Sequence, residues 1–240
     1  MSTISKTMTS ILSTTTPLLL RPSKRAVIGR IIHPYHHQFF QSNTSSRGAR
    51  RNMSSFSFAG PRKLSDVMKT ELLEGKSKSE VSDIWMTYHE EKEDMLGMVI
   101  SGKEGETILK RASQCPFFIQ PIFRDDGYFV LLSQFQSPSH FLLAYLEDYK
   151  MDPNRAQPLL TFSVFDDLSQ VLDVSLIRCD VINKGINGGE GWKVAANTLD
   201  SYRREEEYEK VKEFNLTPDK FDFDDYISCQ NRKWRDGGGE

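Results

Sequence analysis

Residues 117–136, FFIQPIFRDDGYFVLLSQFQ, contain the clearest structural signal in this chain. Two runs rich in aromatic and branched side chains, 117–124 and 128–136, are separated only by the Asp-Asp-Gly sequence at 125–127. An Asp-Gly pair permits the tight turn that joins two antiparallel strands, so this stretch predicts a β-hairpin. The Ser-Pro-Ser turn that follows is equally short, and we therefore expect His140 to Tyr149 to return as a third antiparallel strand.

Further strands are indicated on both sides of the hairpin. Upstream, the apolar run Met95 to Ile100 predicts a first strand, and Lys103 to Gln114 predicts a short helix. Downstream, apolar and polar residues alternate from Leu159 to Phe165 and again from Leu172 to about Ile182, which is the period of a strand. These patterns predict an antiparallel sheet of five or six strands.

Helices are predicted before and after the strands. Ser77 and Glu80 have the spacing of a helix capping box. Four apolar residues then recur at helical spacing and are expected to face inward: Val81, Ile84, Trp85 and Tyr88. Near the C-terminus, a mobile glycine-containing loop at 185–191 is predicted to precede one long charged helix, 193–214, and a last helix, 223–230.

The order of these elements predicts an α+β protein in which helices pack on one face of the antiparallel sheet. A disordered presequence is expected to precede this domain. Composition and pattern divide the chain into four segments, which are a presequence (1–55), a linker or helical arm (56–78), an α+β domain (79–232) and a flexible tail (233–240).

The first 65 residues contain ten Lys or Arg and no Asp or Glu. This composition is typical of a mitochondrial presequence and also fits a plastid one, which we consider less favoured. The alternative is a disordered basic arm that binds nucleic acid or a membrane. Arg50 and Arg51 resemble a matrix-protease site, so the mature chain is expected to start at about residue 52–60. The short apolar run at 17–20 is interrupted by Arg21 and Pro22, which argues against secretion and stable membrane insertion.

The chain from Asp66 onward is acidic, with 21 basic and 33 acidic residues and a formal charge of −12. Because nucleic-acid affinity depends on phosphate neutralisation by Lys and Arg, we predict no nucleic-acid partner. Cys115, Cys179 and Cys229 are far apart and form no CxxC pair, so neither a zinc site nor a disulfide framework is predicted. We predict no cofactor.

The sequence contains no recognisable catalytic constellation. The glycines at 185–191 have neither the P-loop nor the dinucleotide-binding spacing, and a G-x-S-x-G nucleophile elbow is absent. A thiol dyad of Cys115 with His140 is conceivable, although an inert buried cysteine is the more common interpretation. By elimination, a binding or assembly role is favoured over catalysis.

Trp85, Tyr88 and His89 cluster at the end of the first predicted helix. Large aromatic side chains often anchor protein interfaces, so this cluster is a candidate partner-binding surface. The alternative is that Trp85 and Tyr88 are core residues, which is the more common situation for aromatic residues on one helical face.

Four motifs occur in the order found in one known family. They are W-x-x-Y-H at 85–89, R-A-x-x-C-P at 111–116, the aromatic hairpin around 126–129, and E-F-N-L-x-P-x-x-F at 213–221. In these motifs, which span roughly residues 79–227, the chain resembles the mitochondrial F₁ complex assembly factors, chaperones of the ATP synthase β subunit. The loop at 185–191 and the first half of the helix predicted after it match no pattern of that family.

The resemblance implies a soluble chaperone of the mitochondrial matrix without catalytic activity. Such a protein would bind unassembled β subunit, prevent its aggregation and promote assembly of the catalytic F₁ sector. On this interpretation the α+β domain at 79–232 is the chaperone domain. The predicted partner-binding residues belong to two of the motifs: Trp85, Tyr88, His89, Phe214, Asn215 and Leu216. The alternatives are a small-molecule-binding protein or hydrolase on an α+β scaffold, and a structural subunit of an organellar complex.

Overall fold

The computed structural model of the chain describes residues 62–125 and 127–236, without the side chain of Asp236. The predicted presequence and the first part of the predicted arm therefore lie outside the described residues. Asp126 of the predicted hairpin turn also lies outside them.

Six antiparallel strands form a single sheet in the order β1-β6-β5-β4-β3-β2. The strands are β1 (Met95–Ser101), β2 (Phe117–Arg124), β3 (Gly127–Gln136), β4 (His140–Tyr145), β5 (Pro158–Phe165) and β6 (Val174–Val181). Five of them, β2 to β6, form a continuous meander, and β1 pairs with β6 at the far edge. The predicted fold class, α+β with an antiparallel sheet of five or six strands, is confirmed.

Helices precede, interrupt and follow the strands. Two short 3₁₀ turns, Leu64–Asp66 and Thr70–Leu73, lead into the first helix. The helices are α1 (Lys78–Glu90), α2 (Gly102–Gln114), α3 (Leu146–Met151), α4 (Ser169–Leu172), α5 (Gly188–Arg203), α6 (Glu205–Leu216) and α7 (Phe223–Asp236). The predicted capping box at α1 is present, because the Ser77 hydroxyl accepts from Glu80 N and the Glu80 carboxylate accepts from Ser77 N.

The two faces of the sheet are covered by different helices. In β1, Leu96, Met98 and Ile100 pack in the larger core with α2, α5 and α6. Val99 faces the other side, where it packs in a smaller cluster with Trp85 of α1. Most of the long helices thus share one face, and α1 covers the β1–β6 end of the opposite face.

The predicted third strand, 140–149, is wrong in its second half. The strand ends at Tyr145, and the chain continues as helix α3. Leu146 and Tyr149 are both buried. Residues three apart point to opposite faces of a strand but share one face of a helix, so the helix is the conformation that buries both. The strand predicted from Leu172 likewise begins only at Val174, after helix α4 and a left-handed Asp173.

The predicted long helix 193–214 is two helices, α5 and α6, separated at Arg204. Arg204 has an extended backbone, and the Arg111 guanidinium donates to the carbonyls of Tyr202 and Arg203 at 3.0 and 3.1 Å. These contacts satisfy carbonyl groups at the end of α5 that a continuing helix would have bonded. The break therefore depends on α2, which is distant in the sequence.

The predicted mobile loop at 185–191 is also partly wrong, because α5 already begins at Gly188. Asn187 is its N-cap. Its side chain accepts from Glu190 N at 2.9 Å, and the Glu190 carboxylate accepts from Asn187 N at 3.0 Å. Gly188 allows a close approach of chains, since a Cβ atom there would lie 2.4 Å from the Glu93 carbonyl oxygen. The last helix, α7, extends six residues beyond its predicted end at Gln230.

Trp85 and Val81 face the sheet, whereas Ile84 and Tyr88, predicted to be inward, are 40% and 50% exposed. The third inward position is taken by His89. We therefore predict that Trp85→Ala lowers the free energy of unfolding by about 3–5 kcal/mol, because it removes a buried indole and its hydrogen bond to the Ile177 carbonyl. Urea denaturation measures this change.

Ile84→Ala, one residue away on the exposed side of α1, is the matched control and is expected to cost less than about 1 kcal/mol. Equal losses for the two variants would contradict the observed orientation of α1.

Candidate functional site

Two of the three candidate residues on α1 lie inside the protein. Trp85 is 1% exposed, and its indole N–H donates to the Ile177 carbonyl at 3.1 Å. His89 is 4% exposed and donates from Nδ1 to the Trp85 carbonyl at 2.7 Å. Its ring lies over Gly97, where a Cβ atom would come within 2.7 Å of the imidazole. Trp85 and His89 therefore hold α1 on the sheet.

Tyr88 is the candidate residue of α1 that faces outward. Its ring packs edge-on against His89, and the Lys92 ammonium lies 3.1 Å from the ring centre. Ile84, one turn earlier, is also exposed. Ile84 and Tyr88 together form an apolar stripe on the outer side of α1, and this stripe is available for contact with a partner.

The second candidate group, at the end of α6, is divided in the same way. Phe214 is fully buried and packs edge-on against Phe118 and Phe221. Asn215 is 4% exposed, whereas Leu216 is 54% exposed. Among these three residues, Leu216 is the one that a partner can reach.

The Asn215 carboxamide closes the outer edge of β2. Its Oδ1 accepts from Phe117 N at 3.1 Å, and its Nδ2 donates to Phe117 O at 2.6 Å. Nδ2 also donates to the Val211 carbonyl at 2.8 Å. Farther along the same edge, the Tyr226 hydroxyl donates to the Ile119 carbonyl at 3.0 Å, and Pro121 has no N–H. Open strand edges pair with other chains, so these side chains protect β2 from edge-to-edge association.

The structure does not bring the two candidate groups together. Helix α1 packs on β1 and β6, whereas α6 packs on β2. β1 and β2 are the opposite edges of the sheet. Five strand spacings separate them, which is about 24 Å measured along the sheet. Tyr88 and Leu216 therefore belong to separate surfaces.

A row of polar side chains is buried on the sheet face that α1 partly covers. His140 Nδ1 and Ser163 Oγ are hydrogen-bonded at 2.8 Å, and Arg178 lies opposite Ser163 on β6. The Arg178 guanidinium binds the Asp180 carboxylate through Nε and Nη2 at 2.8–3.1 Å. Burial lowers the pKa of His140 to about 4, with Asp180 opposing that shift and Arg62 adding to it.

Cys115 and His140 do not form the conceivable thiol dyad. The Tyr208 hydroxyl donates to Cys115 Sγ at 3.7 Å, while His140 bonds to Ser163. Burial raises the pKa of the Cys115 thiol, which disfavours the reactive thiolate. The more common interpretation, a buried cysteine, therefore describes Cys115.

One further surface feature is a cleft of about 410 Å³ at the tip of the β2–β3 hairpin. The last turns of α7 form its other wall, and its lining includes Tyr128 and Trp234. Sequence reasoning missed this cleft because Trp234 and Arg235 fell in the predicted flexible tail. The sequence feature that could have placed these two residues on a helix is the charged stretch after Gln230, which continues the helical pattern of α7.

The described residues contain no group of three or more His, Cys, Asp or Glu side chains that could hold a metal ion. Within the same part of the chain, every helix is too short or too polar to cross a bilayer.

The architecture defines an α+β protein built on one six-stranded antiparallel sheet. The chain belongs to the ATP11 protein family, because the model of that family matches residues 33–227, which is most of its length.

The chain is similar to vertebrate proteins that are named ATP synthase mitochondrial F1 complex assembly factor 1. The Danio rerio protein is 24% identical over 166 residues, which cover 68% of this chain and 54% of that protein. The Homo sapiens protein is 24% identical over 168 residues, which cover 69% and 51%. For the Mus musculus protein the identity is 25% over 168 residues, with the same coverage. The chain thus spans about half the length of these relatives.

We predict that Asn215→Ala lowers the free energy of unfolding by about 2–4 kcal/mol and promotes aggregation, because it leaves Phe117 unpaired at the sheet edge. Urea denaturation and light scattering measure the two effects. Leu216→Ala is the matched control and is expected to change stability by less than about 1 kcal/mol. Normal stability of Asn215→Ala together with lost partner binding would instead make Asn215 a contact residue.

The buried His140 predicts a loss of stability in mild acid. Its pKa is below that of an unfolded-chain histidine, so the unfolded state binds more protons between about pH 6.5 and 4. The free energy of unfolding should therefore fall by about 2 kcal/mol between pH 7.5 and 5. His89, whose pKa is also lowered by burial, adds to this loss.

His140→Gln should lose less stability than the wild type over this pH range, as followed by urea midpoints. Carboxylates with lowered pKa values, such as Glu104 and Glu190, affect stability only below about pH 4.5 and do not interfere. Identical pH profiles for the two proteins would contradict the assignment to His140.

Proposed function

We propose that this chain is a mitochondrial assembly chaperone that binds the unassembled β subunit of ATP synthase. In this role it prevents aggregation of the β subunit and promotes assembly of the catalytic F₁ sector. Membership of the ATP11 family across residues 33–227 is the observation that carries the proposal. Its relatives in Danio rerio and Homo sapiens are named as F1 complex assembly factors, which supports the same role.

The N-terminal composition supports a mitochondrial location for this function. Ten cationic and no acidic residues among the first 65 fit a transit peptide that directs the chain to the matrix. Unassembled β subunit would be met in that compartment. A plastid location fits the composition but not the names of the relatives.

The proposed mechanism is binding without catalysis. A subunit of an obligate complex exposes a large apolar interface until its neighbour arrives, and this surface drives aggregation. A chaperone that covers this surface lowers the concentration of free aggregation-prone subunit by mass action. The correct neighbour then displaces the chaperone because it offers a larger interface. No nucleotide hydrolysis is required for this exchange.

The exposed apolar side chains provide the contacts for such binding. Tyr88 and Leu216, among the six candidate residues, are the proposed direct contacts. Trp85, His89, Phe214 and Asn215 act indirectly, since they hold α1 and α6 in place.

The mature protein is predicted to suppress aggregation of isolated β subunit at a near-equimolar ratio and without ATP. Light scattering of denatured β subunit diluted into buffer measures this effect. The stoichiometry follows from a chaperone that covers one interface per client.

An unrelated aggregating protein and isolated α subunit are the controls, and neither is expected to be protected to the same degree. Unchanged β-subunit aggregation at several-fold excess of the chain would refute the proposed function. ATP turnover by the purified protein would favour an enzyme instead.

A further inference from the structure

A cleft at one end of the molecule contains none of the six predicted partner-binding residues, although Gly127 and Tyr128 of the aromatic-hairpin motif line it. It lies between the tip of the β2–β3 hairpin and the last turns of α7, and we call it the hairpin-tip cleft. Its lining includes Phe123, Asp125, Tyr128, Asn231, Trp234 and Arg235. A volume of about 410 Å³ is within the range of pockets that accommodate ligand groups or side chains.

The hairpin wall of the cleft is fixed to the rest of the fold by Arg124. The guanidinium donates to both oxygens of the Glu190 carboxylate at 2.8 and 3.0 Å, and to the Gly185 carbonyl at 2.8 Å. Arg124 holds the pKa of Glu190 below its usual range, so this pair remains charged at neutral pH. Glu190 also caps α5. The hairpin tip is therefore anchored to the start of α5, and the charge of Arg124 is already balanced.

Three aromatic rings form an apolar patch in the cleft. Phe123 contacts Tyr128 at a centroid distance of 5.6 Å and Trp234 at 6.0 Å. Tyr128 is 46% exposed and Trp234 is half-buried. The Lys193 ammonium of α5 lies 5.1 Å from the Trp234 ring centre and helps to orient it. Partly exposed Trp and Tyr side chains on a fixed support are typical of binding hot spots.

The charges of the cleft select the kind of segment that fits. Arg235 is exposed, so a ligand can reach its guanidinium group. Asp125 also lines the cleft and would repel a run of several acidic residues. A segment with a single carboxylate next to an apolar side chain is therefore complementary. Asn231 adds an amide that can donate to and accept from a peptide backbone.

We propose that the hairpin-tip cleft docks an extended segment of the client subunit. In this segment an apolar side chain packs against Phe123, Tyr128 and Trp234, and a neighbouring carboxylate pairs with Arg235. The identity of the client rests on the proposed function, whereas the chemistry of the segment rests on the cleft itself.

The test measures the affinity of the full mature chain for isolated β subunit, with Arg235 and Trp234 as the varied positions. Arg235→Glu and Trp234→Ala are each expected to weaken binding at least ~10-fold, and Arg235→Lys less than ~3-fold. Arg235→Glu should also reduce the salt dependence of binding, because an attractive pair is lost. Its urea midpoint should equal that of the wild type.

Met151→Ser and Val171→Ser are the matched surface controls. Both residues are exposed and apolar, at 86% and 80%, and neither lines the cleft, so their variants should bind β subunit normally. Unchanged affinity of both cleft variants, with normal binding by the wild type, would overturn the docking proposal and leave the proposed function standing. Absence of binding by the wild type would instead refute the proposed function, and the docking proposal with it.

Sedimentation velocity of the wild type and of Arg235→Glu tests whether the cleft is instead occupied by a second copy of this chain. Concentration-dependent dimers of the wild type that disappear in Arg235→Glu would assign the cleft to a second copy of this chain and overturn the proposal. A monomer for both proteins is the expected result.

Discussion

The carboxamide of Asn215 forms with Phe117 the same pair of hydrogen bonds that a residue on a neighbouring strand would form. This contact ends the sheet at β2, ties α6 to it, and places Phe214 against Phe118 in the main core. It joins positions 98 residues apart in the sequence. For a protein proposed to meet aggregation-prone clients, a closed edge has a second benefit, since an open β2 would pair with unfolded chains indiscriminately. At this edge, binding is then confined to side chains, where specificity is possible.

The motifs that resemble the family consist mainly of residues that stabilise the fold, and few of their side chains lie on a surface that a partner can reach. In W-x-x-Y-H, Trp85 and His89 are buried and Tyr88 alone among the three is exposed. In E-F-N-L the same division separates Phe214 and Asn215 from Leu216. The motifs thus fix α1 on one side of the sheet and α6 at the opposite edge.

Local signals predicted the strands and most helix positions because they depend on neighbours in the sequence. The hairpin at 117–136 and the capping box of α1 are of this kind. The predictions were wrong where contacts with residues distant in the sequence determine the local structure. His89 turns inward because Gly97 leaves room for its ring, and the break at Arg204 exists because Arg111 bonds the end of α5. The cleft was missed because its helical wall was assigned to the flexible tail, and because its two walls, a hairpin and a helix, lie about 100 residues apart in the sequence.

In the proposed function, this chain binds free β subunit and releases it on assembly. The most direct measurement is affinity capture of the tagged chain from matrix extract, with and without the ATP synthase α subunit present, followed by quantification of both subunits. We expect β subunit to be recovered in excess over α, and its recovery to rise when α is absent. Recovery of the chain in a complex of fixed stoichiometry with assembled F₁, or without β subunit in either extract, would contradict it.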